Sequence, residues 1–195
     1  MDIDIYDFDK TIVPFDSGSL FIAYCMIHYP WTVITLPVVA VGLVLGFAGM
    51  LTFTQYKKFC FCLVRMIPLK KAVKGFWDKY EKKVHPWFYQ RKRYSVVISA
   101  SPDFLLDEIQ QRLGFDELIC TRHNSKTGAI IGENCRGREK VNRLYQLHKK
   151  EDINVIDVYS DSIKHDKPIF SLATGQCYHI VKGSRNKIDY TKTYG

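Results

Sequence analysis

Two carboxylates, Asp7 and Asp9, stand one residue apart in the stretch IYDFDKTI, at the end of an apolar run. A negative pair in that position is costly unless something neutralises it. Such pairs also serve as turn and capping residues, so the two acids alone leave chemistry and loop structure equally open. Three further features change the balance. Ser99 ends the apolar VVIS, Lys140 opens a helical GREKV, and the acids Asp161 and Asp166 follow the apolar INVIDV in VIDVYSDSIKHD. Acids, a hydroxyl and a fixed cation suit phosphoryl transfer, which needs an in-line nucleophile and positive charge around the equatorial oxygens.

The elements that must hold these residues can be read from the pattern. Asp2 to Tyr6 alternates and predicts a short strand ending near Asp7. From Ser17 to Tyr56 there is no Asp, Glu, Lys or Arg; the run is broken only by Pro30, Pro37, Gly42, Gly46 and Gly49. Mixed three and four spacing of apolar residues then predicts helices, punctuated by Pro68 and Pro86. YSVVISASPDFLLDEIQQRLGF predicts a strand and a helix, with Ser101 as N-cap, Pro102 at the first helical position and Gly114 closing it. Two short strands are expected around the Lys126, Thr127, Gly128 turn, then a helix over GREKVNRLYQLHKK, a strand over INVIDVYSDS and a last strand over QCYHIVKG. Alternating strands and helices predict an α/β fold with a mostly parallel sheet and helices on both faces. Ligands bind such sheets at the carboxyl ends of the strands, where both acidic clusters fall. The expected core is therefore discontinuous, residues 1–14 and 93–195, with residues 15–92 as an all-helical insert over its catalytic edge.

This order resembles the four motifs of the haloacid dehalogenase superfamily, in its phosphoserine phosphatase-like branch (subfamily IB), whose helical C1-type cap is inserted between the first two motifs. DFDKTI is similar to DxDxT, VVISAS to the strand ending in Ser or Thr, Lys140 to the third motif and YSDSIKHD to the fourth. The resemblance implies a Rossmann-like three-layer core and an enzyme, a Mg²⁺-dependent phosphomonoester hydrolase. Asp7 would be the nucleophile that forms an aspartyl phosphate, and Asp9 would protonate the leaving alkoxide and later activate water. The second acid implies phosphate rather than halide chemistry. Mg²⁺ would be held by Asp7, the carbonyl of Asp9 and Asp161, with Asp166 bound directly or through water. Lys140 would neutralise phosphate and nucleophile together, and Ser99 would donate to a phosphate oxygen. Thr11 would fix the loop or add one phosphate hydrogen bond. Ser101 competes with Ser99, and Arg136 and Arg138 with Lys140; His165 reads as a loop residue. Asp161 and Asp166 lie five apart, where many members of the branch have four. Phosphotransfer from the same intermediate is the nearest alternative. A non-enzymatic, membrane-peripheral binding protein is the more distant one, and it would have no need of Asp9.

The formal charge of +8 is concentrated. Between residues 57 and 93 stand twelve Lys or Arg against only Asp78 and Glu81, so the rest of the chain is net acidic. A phosphate-bearing substrate, an anionic membrane, nucleic acid or a set of solvated helix faces could each account for this segment; with the motifs above, a small phosphomonoester is the expected partner and no nucleic acid is expected. The six cysteines show no CxxC pair, and with no secretory leader before Asp2 they read as reduced, cytoplasmic thiols rather than a zinc site. VITLPVVAVGLVLGFAGMLTF is uncharged and long enough to cross a bilayer, which takes roughly 20 residues. A single crossing would part Asp7 from Ser99, Lys140 and Asp161. That leaves a buried cap helix, which is the preferred reading, an interfacial contact through the cap, or a hairpin.

Overall fold

The structure, a computed structural model, describes residues 1–51, 55 and 59–194. Strand β1 (Asp2–Tyr6) alternates as its sequence requires, with Ile3 and Ile5 buried on one face and Tyr6 on the other. It lies in the middle of the sheet, parallel to β2 (Tyr94–Pro102) and β4 (Asn154–Ser160). With β3 (Glu117–Thr121), β5 (Cys177–Val181) and β6 (Ser184–Ile188) the order is β3-β2-β1-β4-β5-β6. Only β6 runs antiparallel, against β5. The fold is therefore α/β with a mostly parallel sheet, and the residues that follow β1, β2 and β4 arrive at one edge.

Helices cover both faces. Ile3, Ile5, Val96, Ile98, Val155 and Val158 pack with Leu144 of α5 (Arg138–Leu147) and with Ile169 and Phe170 of α6 (Lys167–Phe170). On the other face Tyr6, Val97 and Tyr159 meet α4 (Asp103–Leu113) and helices from between β1 and β2, chiefly α1 (Ser17–His28) and α3 (Leu69–Tyr80). The buried stripe of α3 is Ala72, Val73, Phe76 and Trp77, on one side of the helix. Trp77 Nε1 donates to the carbonyl of Leu105 at 2.7 Å, fastening α3 to α4. Each buried ring contributes roughly 1.5–3 kcal/mol of burial free energy. The segment between β1 and β2 is helical or irregular throughout its described residues, and it shares one hydrophobic core with the sheet.

One part of that segment does not join the core. The turn Pro30–Thr35 and α2 (Leu36–Phe47) form a helical stretch of mean hydropathy 2.0 that is only 18% buried. Trp31, Ile34, Val41, Val44 and Phe47 face outward. The expectation of a buried cap helix fails here, because apolar sequence alone does not distinguish a side chain packed in protein from one left outside. The end of the uncharged run, residues 52–54 and 56, and Lys57 and Lys58 of the basic segment lie outside the described residues.

Three other expectations need correction. Ser101 does not cap α4: β2 continues to Pro102, whose ψ of 139° is extended, and Asp103 Oδ1 instead accepts from the N–H of Phe104 and of His123. Beyond β3 the Lys126–Gly128 turn forms, organised by Asn124 Oδ1 accepting from two N–H groups, but its far side makes a single bridge, His123 to Ile130, rather than a second strand. QCYHIVKG does not hold the last strand, since Lys182 and Gly183, both at positive φ, turn the chain into the polar β6. Gly114 does close α4, at φ 62°.

Candidate active site

The site grows out of the end of β1. The N–H of Asp7 donates to the carbonyl of Tyr159 at 2.9 Å, extending the β1–β4 ladder one residue past the strand. The chain then curls, with the N–H groups of Thr11, Ile12 and Val13 all directed to the carbonyl of Phe8 and Lys10 at φ 56°. This brings Thr11 back beneath Asp7. Its hydroxyl donates to Asp7 Oδ2 at 3.2 Å and accepts the N–H of Asp161 at 2.9 Å. Thr11 is fully buried, so of the two roles expected for it, its contacts fit loop fixing.

Lys140 comes from the first turn of α5, which Gly137 opens at φ 58°. Its ammonium donates to Asp7 Oδ1 at 2.7 Å and to Asp166 Oδ2 at 2.8 Å. Ser160 also donates to Asp166 Oδ2, at 2.6 Å. Burial pulls the Lys140 ammonium down, and the two carboxylates more than reverse it, holding its pKa above the ordinary lysine value. Asp7 is pushed up to about 7: burial is the main cause, opposed by Lys140 and reinforced by Asp166. Burial, and then Asp166, also raises Asp161.

Asp9 faces the same space from the other side. Its Oδ1 accepts the N–H of Ser17, at the start of α1, at 2.8 Å, and its Oδ2 accepts the hydroxyl of Ser101 at 2.5 Å. The Ser17 hydroxyl in turn donates to Ser101 Oγ at 3.0 Å. Burial raises the Asp9 pKa, Asp16 adds to it, and the Ser101 and Ser17 donors work against it. Ser99 is buried within the last part of β2, and its Oγ accepts the N–H of Ser101 at 3.1 Å.

Together these residues line a cavity of about 660 Å³, bordered by Asp7, Asp9, Ser99, Ser101, Lys140, Asp161 and Asp166. Arg136 and His165 stand on its wall, while Ile22, Val39, Cys60 and Phe61 give it an apolar side from the inserted helices. Arg138, weighed in the sequence as a rival to Lys140, is not on this wall. A smaller cleft of about 280 Å³, lined among others by Asp4, Tyr6, Trp87 and Arg93, contains none of these acids. The sequence missed Ser101 and Ser17 as partners of Asp9; a Ser before Pro carries a capping signal, and nothing local links it to a residue 92 positions away.

Among the described residues no group of three or more His, Cys, Asp or Glu closes into a metal cage of its own. The donor set nevertheless fits Mg²⁺, which keeps several waters and takes only one or two carboxylates plus substrate oxygens. Five acids, Asp7, Asp9, Asp16, Asp161 and Asp166, border the cavity, Lys140 pairs with two of them, and among the described residues no ion pair is made to the Asp161 carboxylate. Burial is the main cause that raises Asp7, Asp9 and Asp161, with a neighbouring acid adding to each.

A family model described as haloacid dehalogenase-like hydrolase matches residues 5–171. Protein CicA of Caulobacter vibrioides (strain NA1000 / CB15N) is 32% identical over 93 residues, covering 45% of this chain and 41% of CicA. The match thus spans about two fifths of that relative's length. Solved structures share the fold more widely. A protein with unknown function from Bordetella pertussis Tohama I superposes with a TM-score of 0.73 at 18% identity, over 91% of this chain and 89% of that one. A probable phosphoserine phosphatase from Vibrio cholerae gives 0.66 at 16%, over 95% and 62%. A phospho-aspartyl intermediate analogue of phosphoserine phosphatase gives 0.57 at 21%, over 91% and 85%.

Proposed function

The chain belongs to the haloacid dehalogenase-like hydrolases, and from that premise we propose that it is a phosphatase that hydrolyses phosphomonoesters with Asp7 as nucleophile and Asp9 as acid and base. The observation that carries the reading is the placement of Lys140 between Asp7 and Asp166 in a cavity that Asp9 also lines. A carboxylate oxygen of Asp7 attacks phosphorus as the ester P–O bond breaks, and Asp9 gives its proton to the leaving oxygen. Water then attacks the aspartyl phosphate, Asp9 takes its proton, and inorganic phosphate is released. Lys140 favours the ionised form of Asp7 against its burial, and the Ser99 hydroxyl donates to a phosphate oxygen. Bound Mg²⁺, held by Asp7, Asp161, Asp166 and the Asp9 carbonyl, would supply the charge that lets a dianion approach these acids. Residues 15–92 act as a cap on the core formed by 1–14 and 93–195, keeping bulk water from the reacting groups.

Mg²⁺-dependent hydrolysis of p-nitrophenyl phosphate by wild type and Asp7→Asn tests this. The variant is expected to lose activity by about a thousandfold or more. Activity that survives the substitution, or needs no divalent cation, would overturn the mechanism. Phosphate release that does not depend on an added alcohol distinguishes hydrolysis from transfer.

The substrate class is a small phosphomonoester, not a nucleic acid, and the cap meets an anionic membrane surface from the cytoplasmic side. The exposed Trp31, Ile34, Val41, Val44 and Phe47 support the membrane contact, as does the place of Val39, on the same helix, in the cavity lining. Six free cysteines support a reducing compartment. Co-sedimentation with vesicles rich in phosphatidylserine, at low and high salt, checks the contact: wild type should bind at low salt and Phe47→Ser more weakly, and no binding at low salt would remove it.

A further inference from the structure

The hydroxyl of Ser101 touches neither Asp7 nor Lys140; its bond is to Asp9. We propose that Ser101 is the positioning residue that aims Asp9 at the leaving oxygen, with the Ser17 hydroxyl backing it. The inference rests on Asp9 acting as the acid, as proposed above.

Three facts carry it. Ser101 Oγ donates to Asp9 Oδ2 at 2.5 Å while Ser17 Oγ donates to Ser101 Oγ at 3.0 Å, so the single Ser101 proton is committed to Asp9 and one of its two lone pairs accepts from Ser17. The N–H of Ser17 holds the other oxygen, Oδ1, at 2.8 Å. Both carboxylate oxygens are thus fixed, from two different elements, and Asp9 cannot rotate about its Cβ–Cγ bond without losing a donor. Ser101 is buried, and the strand holding it runs past Ser99 to Pro102, three residues further than its sequence suggests, which is what carries the hydroxyl over to Asp9.

In the first half-reaction the Asp7–phosphorus bond forms and the ester P–O bond breaks, its electron pair going to the leaving oxygen. That oxygen takes the proton of Asp9, and the resulting carboxylate accepts the Ser101 O–H. In the second half-reaction Asp9 recovers a proton from water. Ser101 gains or loses no atom over the cycle; its part is to keep the acid in place and to stabilise its charged form.

The test exploits leaving-group basicity. An alkoxide must be protonated as it departs, whereas p-nitrophenolate need not be. The value of kcat/KM reports events up to formation of the phosphoenzyme, so water attack does not enter it. With Mg²⁺ present, kcat/KM would be measured for glycerol phosphate and for p-nitrophenyl phosphate with wild type, Ser101→Ala, Ser101→Thr and Ser17→Ala. For Ser101→Ala the loss on the alkyl ester should exceed the loss on the aryl ester by at least about tenfold, within the range general acid catalysis supplies. Ser101→Thr should restore most of the ratio, and Ser17→Ala should shift it in the same direction by less. Equal losses on both esters, or a ratio that Thr does not restore, would mean that Ser101 contacts the phosphoryl group or merely supports the fold, and would overturn the inference. That result is distinct from failure of the underlying reading, in which wild type hydrolyses neither ester or Asp7→Asn hydrolyses both.

Discussion

Lys140 Nζ lies 2.7 Å from Asp7 Oδ1, and only 2% of the Lys140 surface is exposed. A lysine so enclosed stays charged because Asp7 and Asp166 flank it. Lys140→Met keeps much of the volume but leaves two acids facing each other without their cation. Breaking a buried pair from one side costs about 3–5 kcal/mol. In EDTA the variant should melt roughly 6–20 °C below wild type, at about 2–4 °C per kcal/mol for a chain of this size. Hydrolysis of p-nitrophenyl phosphate should fall by about a hundredfold or more. Unchanged melting would mean that the pair does not persist in solution.

Burial of Asp7, only partly offset by Lys140, sets a pH dependence. Asp7 ionises near 3.8 when unfolded and at about 7 when folded, so across that window the folded state binds more protons than the unfolded one. Stability from this group is therefore present at low pH and is lost as pH rises toward 7. Without divalent cations, thermal scans from pH 5 to pH 8 should show wild type losing stability relative to Asp7→Asn. Added Mg²⁺ should reverse the trend at the upper end, because it favours the ionised acid. A difference between the two proteins that grows in the opposite direction would mean that Lys140 outweighs burial.

Thr11 offers a cleaner separation of roles. Its hydroxyl joins Asp7 Oδ2 to the Asp161 N–H, tying the loop after β1 to the loop after β4. Thr11→Val keeps the shape and removes both bonds, leaving two polar groups unpaired at a cost of about 1–3 kcal/mol. Stability and kcat should drop while KM stays within about twofold of wild type. A large rise in KM with unchanged melting would instead assign Thr11 to the phosphate.

What was legible in the sequence follows from whether the signal is local. Asp7, Asp9, Lys140, Asp161 and Asp166 could be read because they fall in short local motifs that resemble those of a known family, at or just beyond strand ends or in the first turn of a helix; the cavity brings all five together. Ser101 could not be read as a partner of Asp9, because its neighbour Pro102 gives a strong local capping signal and the competing bond is purely tertiary. Strand β6 escaped because SRNKI has almost no apolar face; it is an exposed edge whose only cue is the Lys182–Gly183 turn. The helix around Val41 was read as buried because hydropathy records what a side chain avoids, not what covers it.

Gly128 links the turn after β3 to the inserted helices, and it can be tested against an internal control. It stands at φ 71°, and a Cβ built there would come 1.9 Å from the carbonyl oxygen of Phe61. Phe61 lines the cavity and packs edge-on against Phe104 and His123. Gly114 has nearly the same backbone, φ 62°, but open space where its Cβ would lie. Gly114→Ala should therefore lose only the left-handed preference, roughly 1 kcal/mol. Gly128→Ala must also displace Phe61, adding about 1–3 kcal/mol, and it should raise KM because the cavity wall moves. Chemical denaturation of the two variants, with KM measured on the folded protein, checks both parts. Equal destabilisation would show that the Phe61 segment yields freely, and that the turn does not hold the cap in place.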